Sequence, residues 1–124
     1  MFAGERYTCH TAFHHIALGR IQPADSVTKL RRLDHVASLV RRTDLAVLTF
    51  SGKLGLSVVH QEVLAEPPVR LTYLDAGNAY IQLVEPLDGS SDLALQLRTQ
   101  GEGLHHVCFG VDDVSAAVAD LSAP

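Results

Sequence analysis

The chain has no tryptophan, one methionine and two cysteines in 124 residues, and aromatics make up only 6% of it. Two cysteines, Cys9 near the start and Cys108 inside an apolar stretch, are too few for a disulfide scaffold. Cys108 reads as a small buried apolar residue, which implies a reducing, intracellular setting. No apolar run approaches the roughly 20 residues that span a bilayer, and no secretory h-region precedes a cleavage-like site. Basic residues are also scarce: ten Lys/Arg face fourteen Asp/Glu, a net charge of −4. A nucleic-acid surface needs the opposite balance, so neither nucleic acid nor membrane is an expected partner. What is there, 47% apolar and 19% charged residues, fits a folded single domain with a modest core.

The charge is unevenly spread. Residues 1–32 carry five Lys/Arg and two Asp/Glu, a balance of +3; residues 33–124 carry five and twelve, a balance of −7. The first segment has no sustained helical or strand period and reads as a poorly ordered tail (1–32) ahead of a domain (33–124). Its few acids allow an organelle transit peptide, but Glu5, Asp25 and weak amphipathicity weigh against one. Within the tail, Phe13-His14-His15-Ile16-Ala17-Leu18-Gly19 echoes Leu104-His105-His106-Val107-Cys108-Phe109-Gly110, a likeness read as chance.

From Leu33 to Val40 apolar and small residues predict a strand. Thr43 or Asp44 then caps a helix running toward Leu54, with Gly55 as its stop. Leu56 to His60 is a second strand, broken at Glu66-Pro67-Pro68. Val69–Leu74 and Ala79–Val84 are a third and fourth, joined by an Asp75-Ala76-Gly77-Asn78 turn. Ser91 caps a short helix through Leu93 and Leu97. A strand from Leu104 to Val111 follows, and Asp112 or Asp113 opens a last helix. The order is one β-α-β-β-β module and then the first strand and helix of a second, an α+β fold with its second module truncated.

The two modules share a pattern: Leu33, His35, Val36 and Val40 match Leu104, His106, Val107 and Val111. A lone strand histidine is more often structural than a ligand, but here two stand at matching places. Gln82, polar among apolar neighbours on the fourth strand, adds an inward-facing oxygen. Imidazole nitrogens and an amide oxygen suit a first-row divalent metal, so His35, Gln82 and His106 form the candidate metal site. Alternation sends His105 to the opposite face, as a surface or supporting residue. His60 reads as solvent-exposed, and His10, His14 and His15 as a tail without a preorganised site.

At these residues the chain resembles the vicinal oxygen chelate superfamily, the glyoxalase and bleomycin-resistance fold, and within it the methylmalonyl-CoA epimerases. The resemblance is carried by Leu33-Asp34-His35-Val36, Leu54-Gly55-Leu56, Leu74-Asp75-Ala76-Gly77-Asn78 and Leu83-Val84-Glu85-Pro86-Leu87. It continues through Gly101-Glu102-Gly103-Leu104-His105-His106-Val107 and Val111-Asp112-Asp113-Val114. It implies paired β-α-β-β-β modules around a divalent ion, cobalt or zinc, held by His35, Gln82 and His106. The implied activity is metal-assisted racemisation or epimerisation of a 2-acyl-CoA thioester through an enolate, by a cytoplasmic (alternatively mitochondrial-matrix) homodimer. A fourth family ligand, a Glu on the last strand of the second module, has no counterpart before Pro124. An acid that some members carry before the hairpin falls at about Leu71, which moves no proton, so the proton-transfer residues are unassigned. Phe50-Ser51-Gly52-Lys53 is about two residues shorter than the corresponding family segment. The competing expectations are a non-catalytic small-molecule binding module and an inactive gene fragment of the same fold, which would pair with another chain.

Overall fold

The computed structural model describes residues 29–123. The expected tail, with Cys9, His10, His14, His15 and the Phe13–Gly19 echo, therefore lies almost wholly outside the described residues. The elements are β1 (Arg32–Leu39), α1 (Thr43–Val47) running on into a π-helical turn (Leu48–Lys53), β2 (Ser57–Ala65), β3 (Pro68–Asp75) and β4 (Tyr80–Pro86). There follow α2 (Asp92–Gln100), β5 (Gly103–Gly110) and α3 (Val114–Ser122). The five strands form one mixed sheet in the order β2-β3-β4-β1-β5. Residues 35–107 form one compact unit, and the described residues 29–34 and 108–123 belong to another.

In the 35–107 unit β2, β3 and β4 are an antiparallel meander, and β1 enters parallel to β4 with Ala37 opposite Gln82. The β3–β4 turn follows from its residues: the Asp75 carboxylate accepts the Gly77 N–H at 2.7 Å, and Gly77 takes φ +91°, a backbone region that suits glycine. Alternation sorts the strands into two faces. Ala37 and Leu39 join Val69, Leu71, Tyr73, Val84 and Leu97 on one; Val40, Leu74 and Leu83 join Ala46, Val47 and Phe50 of the α1 segment on the other.

The caps divide the same way between near and far. The Ser91 side chain accepts the Ala94 N–H at the start of α2, as its residue type predicts. For α1, the N-cap is Arg42 and makes no side-chain cap bond, so neither Thr43 nor Asp44 caps as expected. The Glu85 carboxylate does it from β4, accepting the Thr43 N–H at 2.9 Å while pairing with Arg70 at 3.3 Å. This gives the Glu-Pro-Leu stretch a structural role: it ties the end of the meander to the helix that follows β1. Burial raises the Glu85 carboxyl's pKa, but the Thr43 bonds and the Arg70 guanidinium outweigh it and leave the group below its ordinary value.

In the other unit, the Arg31 N–H donates to the Gly110 carbonyl and its guanidinium pairs with Asp112 at 2.6 Å. Asp113, not Asp112, caps α3, accepting the Ala116 N–H at 2.9 Å. Cys108 is 3% exposed, as expected, but it is disulfide-bonded and not a thiol. The chain's other cysteine, Cys9, lies outside the described residues. Burial in a strand did not distinguish the two states, because a bonded sulfur is as apolar as a thiol. The expectation of a reducing compartment loses the support it took from a free Cys108. Among the described residues no helix is long and apolar enough to cross a membrane.

Candidate metal site

The residues singled out in the sequence lie on the face of the sheet that carries Ala37, Leu39 and Tyr73. His35 precedes Ala37 by two on β1 and is 1% exposed. Its ring meets the Tyr73 ring edge-on at 5.8 Å and the His106 ring at 5.5 Å. The second contact follows from strand direction. Arg31 N–H bonds Gly110 O at one end and Ser38 Oγ bonds Gly103 O at the other, so β1 and β5 run antiparallel with His35 and His106 opposite each other. Gln82, two residues before Val84 on β4, is 5% exposed. Its Nε2–H donates to the Tyr73 hydroxyl at 2.5 Å, and its Oε1 is buried without a hydrogen-bond partner among the described residues.

A buried amide oxygen lacking a donor costs about 1–3 kcal/mol, and an amide oxygen on the same sheet face as two imidazoles is a donor set of the kind that a borderline divalent ion takes. The residues present therefore fit a metal of that class. Cys108 is not among the possible ligands, because a disulfide sulfur is not a thiolate.

Three residues outside the predicted set stand beside it. Tyr73, 2% exposed, sits between His35 and the His60 ring, which is 5.9 Å away. The hairpin register pairs Tyr73 with Gln82, so the turn at Asp75–Asn78 was the signal that could have joined them. His60 is not the free surface group expected. It is half-buried, with Nε2 sequestered and 3.8 Å from a Glu62 carboxylate oxygen. His105 takes the supporting place that the sequence reading allowed it: its ring lies 4.9 Å from that of His106, with the two Nδ1 atoms 2.7 Å apart. Where His106 donates through Nδ1, its Nε2 keeps the lone pair that a metal needs.

Leu71, at the place of the family acid, is 7% exposed and belongs to the apolar core. A cleft of about 550 Å³ lies elsewhere. Ser38 of β1 and Val40 just after it line the cleft, and Arg41 and Glu102 pair beside it. None of the clustered rings reaches it, so the chemistry-bearing residues and the cleft are separate features.

Residues 34–124 match the family model described as the glyoxalase/bleomycin resistance protein/dioxygenase superfamily. The chain is 38% identical over 106 residues to the human mitochondrial methylmalonyl-CoA epimerase, covering 81% of this chain and 60% of that protein. A variant of the Streptomyces coelicolor methylmalonyl-CoA epimerase in complex with 2-nitronate-propionyl-CoA superposes with TM-score 0.70 at 37% identity, covering 75% of this chain and 69% of that one. The methylmalonyl-CoA epimerase of Mycobacterium tuberculosis gives 0.68 at 33%, covering 77% and 64%. The chain spans 57–66% of the length of the curated relatives it matches. Its sheet and three helices match the vicinal oxygen chelate fold of these neighbours. With the family model spanning everything from Asp34 onward, the chain belongs to the glyoxalase/bleomycin resistance/dioxygenase superfamily.

Proposed function

We propose that the protein is a methylmalonyl-CoA epimerase-like isomerase whose His35, His106 and Gln82 hold a divalent ion, cobalt or zinc. The observation that carries the reading is Gln82: a buried amide whose Oε1 has no hydrogen-bond partner among the described residues, on the face where the His35 and His106 rings meet. Three such ligands leave coordination positions open. When bound, the ion supplies Lewis-acid polarisation of a thioester carbonyl, which acidifies the neighbouring carbon. The chain's own residues hold and orient: His35 is fixed between Tyr73 and His106, and His105 sits on the Nδ1 side of His106. An acyl-CoA substrate is supported by the S. coelicolor neighbour, which binds 2-nitronate-propionyl-CoA, and a homodimer goes with the same reading.

A second reading, a non-catalytic small-molecule binding module, is favoured by Leu71, since a core leucine in place of an acid removes one proton carrier. One experiment separates the two. Purified protein is loaded with cobalt, given methylmalonyl-CoA in deuterated water, and followed by NMR at the α-proton. Metal-dependent exchange supports the isomerase; binding without exchange supports the module. Metal content below stoichiometric, with cobalt affinity unchanged in His35→Ala and His106→Ala, overturns the metal assignment.

A further inference from the structure

We propose that Tyr73 is a positioning residue for Gln82, its hydroxyl holding the amide by Nε2 so that Oε1 is the end left for a cation; the inference rests on the metal reading above. A glutamine amide has two unlike ends. The oxygen carries lone pairs and can ligate, whereas the NH₂ group offers only protons. Rotation of the amide by a half-turn exchanges them, so a glutamine ligand needs something to fix its sense. Gln82 has that in the buried hydroxyl of Tyr73, which takes an Nε2–H at 2.5 Å while Oε1 meets no donor among the described residues.

The two interactions reinforce each other. A cation at Oε1 turns the protons toward Tyr73, and Tyr73 accepting at Nε2 turns the oxygen away from itself. Tyr73 is itself held: it is 2% exposed, paired with Gln82 in the hairpin register, and flanked by the His35 and His60 rings. The Tyr73 hydroxyl thus does for the amide what hydrogen-bonded partners behind a metal ligand do generally, where their loss costs roughly 10–100-fold in metal affinity.

The test is a double-mutant cycle. Tyr73→Phe keeps the ring and its packing and removes only the hydroxyl. Gln82→Glu replaces the amide by a carboxylate whose two oxygens are equivalent and need no sense of orientation. Cobalt titration is expected to show Tyr73→Phe weakening binding about 10-fold or more beside Gln82, and by less than about 3-fold in the Gln82→Glu background. Equal losses in both backgrounds, or no loss in either, would mean that Tyr73 only fills space, and the proposal falls. The side-chain amide protons of Gln82 give a metal-independent readout by NMR. They should be protected and singly populated in the metal-free wild type and exchange-broadened in Tyr73→Phe; identical signals in both overturn the proposal. A flat cobalt titration of the wild type would remove the metal reading while the amide signals still decide whether Tyr73 holds Gln82.

Discussion

His35 and His106 occupy matching places in two similar stretches of sequence, yet the fold treats them differently. His35 lies on β1, with β4 on one side and β5 on the other, and is 1% exposed; His106 lies on β5, the last strand of the sheet among the described residues, and is half-buried. The sequence repeat sets residue type and facing, whereas position in the sheet order sets burial. The central histidine is locked by its neighbours, Tyr73 and His106. The outer one leans on an adjacent imidazole, His105. The candidate site therefore has a closed half, the rigid one on this reading, and a more exposed, compliant half.

The sharpest way to break that comparison is to truncate each ring in turn. His35→Ala leaves a cavity in a closed site and should cost about 2–4 kcal/mol, the range for large core truncations. His106→Ala opens a position that water already reaches and should cost at least about 1 kcal/mol less. Urea denaturation of the two variants without metal gives both numbers. Equal losses would show that β5 is as closed as β1 and that the asymmetry between the two histidines is not energetic.

Much of this was legible in the sequence, for local reasons. Glu66-Pro67-Pro68 and Asp75-Ala76-Gly77-Asn78 interrupt the strands where the chain turns, and Ser91 and Asp113 cap the helices they precede. The placement of His35, Gln82 and His106 on one face follows from period-two alternation. What was not legible is non-local. The cap of α1 comes from Glu85, 42 residues beyond Thr43. The partner of Gln82 is Tyr73, a residue that looks like ordinary strand core until the hairpin register is laid out. The partial burial of His60 depends on what stands beside a strand, which a one-dimensional period does not contain. The helix predicted through Leu54 does run that far, but as α1 followed by a π-turn closed by Leu54 N–H to Thr49 O.

The rigid half should also answer to pH, because Glu85 anchors it. The carboxylate joins β4 to the start of α1 just after β1, and its pKa in the fold lies below the ordinary value. A group depressed on folding stabilises the protein fully above its unfolded pKa, and that support is lost as pH falls through the folded value. Glu85→Gln keeps an oxygen for the Thr43 N–H but removes the charge facing Arg70. It should cost about 1 kcal/mol near neutrality and flatten the acid side of a stability-against-pH curve. An unchanged acid limb would show that the β1 side does not depend on this charge.

The compliant half has its own anchor. α2 delivers the chain through Gly101, at φ +81°, into β5, and Ser91 fixes the start of that helix with one hydrogen bond to the Ala94 N–H. Ser91→Ala removes it, at a cost of about 1 kcal/mol or somewhat less. The location of the effect tells more than its size. Local opening reports the stability of each segment, so amide hydrogen exchange should speed up at His105 and His106 and remain unchanged at His35. Faster exchange at all three would mean that β1 and β5 open as one unit, and that His35 owes its burial to the same contacts that hold His106.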